Sequence, residues 1–126
     1  MANYQMKTIL VVDDDEMNLR MAEFILQQQG YNVVKVSSGM SCLEHLKYEK
    51  PDLILLDVEM PVMSGIQTLE VIRGNEDFHN LPVMFLTASA DADTVAEASR
   101  LGVLAYVKKP FMPQDLVDRV KKILRF

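Results

Sequence analysis

The chain has 126 residues, enough to bury a core of its own, and we expect residues 1–126 to form one domain. Apolar residues make up 49% and charged residues 25%, and no stretch approaches the roughly 18 apolar residues of a membrane span, which excludes a membrane protein. The net charge of -5 opposes direct binding of nucleic acid, because phosphates attract clustered Lys and Arg. The start lacks a secretory pattern and Cys42 has no second cysteine to pair with, which favours a cytoplasmic location.

Five short runs rich in β-branched or apolar residues predict strands. In chain order they are Thr8–Val12, Asn32–Val36, Asp52–Asp57, Pro82–Ala88 and Leu104–Val107. Three of these runs are nearly all apolar, which is typical of strands buried on both faces of a parallel sheet.

Amphipathic stretches between the strands predict helices. One spans about Met17–Gln29 and another about Asp93–Arg100, and each ends near a glycine, Gly30 or Gly102, as helices often do. The last helix begins at Pro113 and carries an apolar stripe made of Leu116, Val117, Val120, Ile123 and Leu124. Five strands alternating with five helices predict a doubly wound (βα)5 domain, an α/β fold with helices on both faces of the sheet.

Polar residues stand at the ends of four predicted strands. The first strand runs into the acidic block DDDE, which begins with Asp13 and Asp14; Asp57 ends the third strand, Thr87 ends the fourth, and Lys109 follows the fifth. The functional crevice of such sheets lies outside the carboxyl ends of the strands, so we expect these side chains to converge there. Three carboxylates repel one another unless a cation organises them, which predicts a divalent-cation site.

The segments VVDDDE, LILLDVEMPVMSG, LTAS and YVKKPF resemble the successive signature segments of response-regulator receiver domains of two-component signalling. The resemblance spans the whole chain in order and spacing. It implies a flavodoxin-like sheet of strand order 2-1-3-4-5, whereas periodicity predicts only the alternation of strands and helices. It also implies a phosphorylation-dependent signalling switch that catalyses only its own phosphorylation and dephosphorylation.

The same resemblance assigns roles to the acidic residues. Asp57 resembles the phosphoacceptor, while Asp13 and Asp14 resemble the pair that holds Mg²⁺ (or Mn²⁺) beside it, together with the backbone carbonyl of Glu59. The chemistry agrees, because Mg²⁺ prefers oxygen ligands. An aspartate is ordinarily ionised at neutral pH, so we expect Asp57 to act as a nucleophile without a general base.

Other residues of the resemblance surround the phosphoryl group. Lys109 supplies a positive charge and Thr87 a hydroxyl donor for its oxygens, and the small side chain of Ala88 leaves room for it. The resemblance also implies a cis peptide bond between Lys109 and Pro110. Tyr106 resembles the aromatic residue that turns inward when Thr87 moves toward the phosphoryl group.

The resemblance implies protein partners. The phosphodonor is a sensor histidine kinase or a histidine phosphotransfer protein, and the face of the fourth helix, fifth strand and fifth helix controls a downstream protein partner or output domain. We expect no direct contact with nucleic acid or membrane. The sequence ends soon after the last predicted helix, which leaves open whether the regulator stands alone or belongs to a longer protein.

Two other function classes are alternatives. A haloacid-dehalogenase-like phosphatase also has a nucleophilic aspartate at a strand end, and Glu59 lies two residues after Asp57 as in its motif, but that aspartate usually follows the first strand. A flavodoxin-like electron carrier needs a phosphate-binding loop where this chain has four acidic residues. Asp15 and Glu16 of that block are equally explained as acidic residues in the first turn of a helix.

Overall fold

The fold is a five-stranded sheet covered by helices, in a computed structural model that describes residues 6–125. Strands and helices alternate along these residues, as the sequence predicts. In chain order the elements are β1 (Thr8–Val12), α1 (Glu16–Gln27), β2 (Asn32–Val36), α2 (Gly39–Leu46), β3 (Leu53–Asp57), α3 (Gly65–Arg73), β4 (Val83–Thr87), α4 (Ala92–Arg100), β5 (Ala105–Lys108) and α5 (Pro113–Leu124).

All five strands are parallel and lie in the order β2-β1-β3-β4-β5, which confirms the flavodoxin-like (βα)5 fold. The order reverses at β1, which pairs with β2 on one side and with β3 on the other. A reversal of this kind opens a crevice at the carboxyl edge of the sheet between β1 and β3. The topology therefore places the ends of these two strands at the position where ligands bind in such folds.

The burial of the strands follows their place in the sheet. The central strands β3 and β4 are buried at every residue and β1 at all but its first, whereas the edge strands β2 and β5 are partly exposed. Central parallel strands are covered by helices on both faces, which explains why these three have the apolar sequences. One core cluster packs against α1 and α5, and the other packs against α2, α3 and α4.

The helix ends agree with the sequence signals. Gly30 and Gly102 have positive φ angles of 90° and 71°, a conformation that glycine adopts without strain. Pro113 opens α5, and the predicted stripe faces the sheet, with Leu116, Val117 and Val120 buried and Ile123 and Leu124 partly buried. Within residues 6–125, no helix combines the length and apolar character that a membrane crossing requires.

The strand bounds differ from the prediction by one residue at several ends. β3 begins at Leu53, one residue after Asp52, whose carboxylate accepts a hydrogen bond from the Thr8 amide at 2.7 Å. β4 is one residue shorter at each end, and β5 is shifted by one residue so that Lys108 pairs with Thr87. These shifts leave the strand ends that carry the predicted site in register.

Candidate functional site

The register of the central strands gathers the predicted site residues at one edge of the sheet. Val12 pairs with Leu56, so Asp13 and Asp57 leave the sheet side by side. Thr87 ends β4 beside them, and Lys109 follows β5 in the same way. The structure therefore brings together residues from four strand ends that are far apart in the sequence.

Lys109 forms the electrostatic centre of this edge. Its ammonium Nζ lies 2.8 Å from Asp57 Oδ1 and 2.9 Å from Asp13 Oδ2, and its side chain is only 16% exposed. Burial acts to lower the pKa of Lys109, but the hydrogen bonds to the two carboxylates outweigh it and raise that pKa above its usual value. Lys109 therefore stays protonated and links the ends of β1 and β3.

Asp57 is fully buried, and its pKa departs from the sequence expectation. Burial, the largest cause, raises the pKa of Asp57 to about 7, and the charge of Asp13 adds to this, while the hydrogen bond from Lys109 opposes it. Asp57 is therefore harder to ionise than its residue type alone suggests. The reason is the loss of water around the carboxyl group, which the sequence does not reveal.

The three acidic residues form a group suited to a divalent cation. Asp13, Asp14 and Asp57 each offer a carboxylate oxygen, and these oxygens lie within 4.8 Å of one another. Asp57 Oδ2 is buried and has no hydrogen-bond partner among the described residues, whereas Asp57 Oδ1 accepts from Lys109 and, at 3.3 Å, from the Glu59 amide. An unsatisfied buried oxygen among clustered carboxylates fits the ligand set that Mg²⁺ prefers.

The rest of the acidic block serves the start of α1. Asp15 is the N-cap of this helix, and its carboxylate accepts a hydrogen bond from the Met17 amide at 2.9 Å. Glu16 lies in the first turn, is exposed and pairs with Arg20. Glu16 matches the first-turn interpretation, whereas Asp15 caps the helix just before that turn. The Asp15 amide donates a hydrogen bond to Asp13 Oδ1 at 2.9 Å.

Thr87 and Ala88 lie at the end of β4 and contact a residue whose side chain the sequence analysis did not single out. The carboxylate oxygen Oε1 of Glu59 lies 3.0 Å from Thr87 Oγ1 and accepts a hydrogen bond from the Ala88 amide at 2.9 Å. The Thr87 hydroxyl also lies 2.6 Å from the Ser89 carbonyl oxygen. Only the pairing of β3 with β4 brings Glu59 to this position, since the two segments lie 28 residues apart.

A glycine that the sequence analysis did not single out holds the loop after β3 against the site. A Cβ on Gly65 would collide with the backbone carbonyl oxygen of Asp57 and approach Val58 Cα to 2.9 Å. The Gly65 amide donates to the Val58 carbonyl at 2.9 Å. The segment MPVMSG ends with this glycine, which is the first residue of α3, but its close approach to Asp57 depends on the folded path of the loop.

Two further predicted residues lie beside this edge. The peptide bond between Lys109 and Pro110 is cis, as the resemblance implies. Tyr106 lies on the edge strand β5, where it pairs with Phe85, and 38% of it is exposed. Its side chain is thus partly exposed on this edge strand.

Comparison with known sequences identifies the family. A sequence model of the response regulator receiver domain matches residues 9–121. The alkaline phosphatase synthesis transcriptional regulatory protein PhoP of Bacillus subtilis is 38% identical over 119 residues, covering 94% of this chain and 49% of PhoP. The polar-differentiation response regulator DivK of Brucella ovis is 27% identical over 118 residues, covering 94% of this chain and 96% of DivK. The chain thus spans about half the length of the first relative and nearly all of the second.

Solved structures share the fold. The chemotaxis protein CheY4 of Vibrio cholerae superposes with a TM-score of 0.89 at 28% identity, covering 94% of this chain and 99% of that chain. The receiver domain of the sensor histidine kinase PA1611 of Pseudomonas aeruginosa, which has a magnesium ion coordinated in its active-site cleft, gives a TM-score of 0.86 at 27% identity, covering 97% and 100%. The chain belongs to the response regulator receiver domains of two-component systems and is a signalling domain.

Proposed function

We propose that this receiver domain, residues 1–126, accepts a phosphoryl group on Asp57 in a Mg²⁺-dependent reaction and thereby switches a surface that controls a protein partner. The single observation that carries the proposal is the burial of Asp57 among Asp13, Asp14 and Lys109 at the carboxyl edge of the sheet. The reaction is the domain's own phosphorylation and dephosphorylation, and no other substrate is turned over.

Asp57 is the nucleophile of the proposed transfer. Its carboxylate forms a bond to the phosphorus of a phosphohistidine as the phosphorus–nitrogen bond breaks, and the electron pair of that bond stays on the donor's imidazole. Lys109 is in contact with Asp57 at 2.8 Å and supplies a positive charge for a phosphoryl oxygen. The phosphodonor is a sensor histidine kinase or a histidine phosphotransfer protein.

Mg²⁺, or Mn²⁺ in its place, would be held by Asp13, Asp14, Asp57 and the backbone carbonyl of Glu59. When bound, the cation neutralises the carboxylates and the oxygens of the phosphoryl group. The raised pKa of Asp57 supports this requirement, because a nearby positive charge favours the ionised carboxylate that the transfer needs. The magnesium ion in the receiver domain of PA1611 also supports it.

The proposed switch begins at Thr87. Its hydroxyl and the Ala88 amide donate to phosphoryl oxygens, and the inward movement of Thr87 makes room for the Tyr106 ring. The partial exposure of Tyr106 in the unphosphorylated chain supports this order of events. The face of α4, β5 and α5 then changes shape, and a downstream protein or output domain recognises it. We expect beryllofluoride with Mg²⁺ to move the ring resonances of Tyr106, and an unchanged ring would contradict the switch.

The charge of the chain and its single cysteine bear on the ligands and the cellular location of the proposed reaction. The net charge of -5 opposes a direct contact with nucleic acid, and the unpaired Cys42, buried in α2, suits a reducing cytoplasmic location.

Intact-mass measurement after treatment with acetyl phosphate and Mg²⁺ tests the proposal. We expect one phosphoryl adduct on the wild-type chain, none on Asp57→Asn, and none on the wild-type chain in EDTA. Asp52→Asn is a matched control, because Asp52 lies at the opposite end of β3, and it should still form the adduct. An equal adduct on Asp57→Asn would remove Asp57 from the role of phosphoacceptor.

A further inference from the structure

The Glu59 side chain crosses from the end of β3 to the end of β4. Its oxygen Oε1 accepts a hydrogen bond from the Ala88 amide at 2.9 Å and lies 3.0 Å from the hydroxyl of Thr87. The carboxylate therefore covers two uncharged donors at the end of β4, close to the buried Asp57.

These are the two donors that the proposed function assigns to phosphoryl oxygens. Carboxylate and phosphoryl oxygens are both anionic acceptors that bind N–H and O–H donors strongly. We infer that the Glu59 carboxylate takes the place of a phosphoryl oxygen at Thr87 and Ala88 in the unphosphorylated chain, and that it competes with the phosphoryl group for them. The inference rests on the proposed function and adds a residue that sets the affinity of the site for a phosphoryl group.

Charge prevents Glu59 and a phosphoryl group from sharing these donors. A phosphoryl group brings about 1.5 to 2 negative charges. It enters an edge where Asp13, Asp14 and Asp57 already lie within 4.8 Å of one another, with Lys109 as the cation in contact with two of them. A further carboxylate on the same donors would be repelled, so Glu59 has to leave when the phosphoryl group arrives.

The departure of Glu59 costs little, which makes it a weak competitor. Glu59 is exposed, so its carboxylate is solvated as soon as it turns outward. The single proton of the Thr87 hydroxyl also has the Ser89 carbonyl oxygen 2.6 Å away in the unphosphorylated chain, so it depends little on Glu59 before it turns to the phosphoryl group. The Ala88 amide loses its charged acceptor and regains one from the phosphoryl group. The competition therefore amounts to about one charge-assisted hydrogen bond, which corresponds to about a tenfold change in affinity.

The first experiment tests the contact without a phosphoryl group or a metal. Amide ¹H–¹⁵N spectra in EDTA compare the wild-type chain with Glu59→Gln and Glu59→Ala. We expect the Ala88 amide proton to move upfield in Glu59→Ala, which removes the acceptor, and to move less in Glu59→Gln, which keeps a neutral one. An Ala88 amide that responds to neither substitution would overturn the inference.

The second experiment tests the competition by calorimetric titration with beryllofluoride, an analogue of the phosphoryl group, in saturating Mg²⁺. We expect Glu59→Ala to bind it about tenfold more tightly than the wild-type chain, with Glu59→Gln in between. Glu76→Ala removes the same charge from the exposed loop between α3 and β4 and should bind like the wild-type chain. Titration with Mg²⁺ alone reports any change in metal affinity separately.

The outcomes separate the two proposals. Equal affinity of Glu59→Ala and the wild-type chain for beryllofluoride would overturn the competition and leave phosphorylation at Asp57 standing. An equal gain in Glu76→Ala would assign the effect to net charge and also overturn the inference. Failure of the wild-type chain to bind beryllofluoride would overturn the proposed function, and the competition with it.

Discussion

Asp52 and Asp57 stand at opposite ends of β3 and have opposite surroundings. Asp52 precedes the strand, and its carboxylate accepts a hydrogen bond from the Thr8 amide at 2.7 Å. Asp57 ends the strand, is fully buried and keeps one oxygen without a hydrogen-bond partner among the described residues, with Lys109 on the other. The same residue type therefore stabilises one edge of the sheet and destabilises the other.

The contrast extends to the two edges as a whole. At the amino edge, the Arg73 guanidinium donates to the carbonyl oxygens of Leu101, Leu81 and His79 at 2.7, 2.8 and 3.1 Å, which closes the loops around β4 and β5. At the carboxyl edge, the carboxylates of Asp13, Asp14 and Asp57 lie within 4.8 Å of one another and repel each other. Groups that a ligand must satisfy cannot also be fully satisfied by the protein, so stability and function are located at different edges of one sheet.

The largest expected effect comes from filling the space at Gly65. In Gly65→Ala the new Cβ meets the backbone of Asp57, which cannot move without disturbing β3. We expect the free energy of unfolding to fall by about 3 kcal/mol and the yield of phosphoryl adduct to fall with it. Urea denaturation and intact-mass measurement check the two effects.

Gly74→Ala is the matched control at the other end of α3. Gly74 has an ordinary φ of -81°, and a Cβ there would lie 3.4 Å from the nearest atom, the Glu70 carbonyl oxygen. We expect a change in the free energy of unfolding of no more than about 0.5 kcal/mol. Equal losses in the two variants would show that Gly65 has no special contact with Asp57.

The next largest effect is expected at the amino edge. Arg73→Met keeps the apolar stem and removes the donors from four carbonyl groups, so we expect the free energy of unfolding to fall by about 2 kcal/mol. Beryllofluoride binding in the folded variant should not change. Arg119→Met, which loses an exposed ion pair with Asp115, should cost no more than about 0.5 kcal/mol in the same urea denaturation. Similar costs at both positions would contradict the role given to Arg73.

A smaller effect of opposite sign is expected at the carboxyl edge. The pKa of Asp57 is about 7 in the folded chain, above the ordinary value of about 4, so the folded state binds the proton more tightly than the unfolded state. The contribution of Asp57 to stability is full below pH about 4 and is lost as the pH rises toward 7. Asp57→Asn, which does not titrate and leaves Lys109 paired with Asp13, should therefore gain stability relative to the wild-type chain as the pH rises from about 4 to about 8.

Urea denaturation at several pH values, with EDTA present, measures this gain. A difference between Asp57→Asn and the wild-type chain that stays constant from pH 4 to pH 8 would refute the raised pKa. Repeating the series with Mg²⁺ should reduce the gain, because a cation bound by the carboxylates stabilises the wild-type chain.

The smallest effect on the free energy of unfolding is expected at Asp52, which precedes β3 at the end opposite to Asp57. Asp52→Asn keeps an oxygen that can accept from the Thr8 amide but removes its charge, so we expect a loss of about 0.5 kcal/mol in the free energy of unfolding at pH 7. The sign is opposite to that of Asp57→Asn in the same buffer. Stabilisation by both substitutions would show that the two edges do not differ as described.

Much of the fold is readable from local patterns in the sequence. Apolar runs separated by amphipathic stretches predict all five strands, and the apolar character of three of them predicts that they are buried on both faces. The glycines at positions 30 and 102 and the proline at 113 mark helix ends through their own backbone preferences. Strand order is different, because periodicity does not distinguish neighbours, and here it depended on resemblance to a family.

The convergence of Asp13, Asp57, Thr87 and Lys109 could also be predicted, because all parallel strands end at the same edge. The partners of each side chain could not. The Glu59 carboxylate reaches Thr87 through the pairing of β3 with β4, and no local pattern records that contact.

The sequence thus establishes which residues stand at strand ends, since hydrophobic periodicity and turn residues act over a few neighbouring positions. Their chemical state depends on distant parts of the chain. The pKa of Asp57 near 7 and the pairing of Lys109 with two carboxylates both arise from burial and from contacts across four strands. Electrostatic energies vary with the distance and solvation of groups in space, and only the packed sheet sets these two quantities.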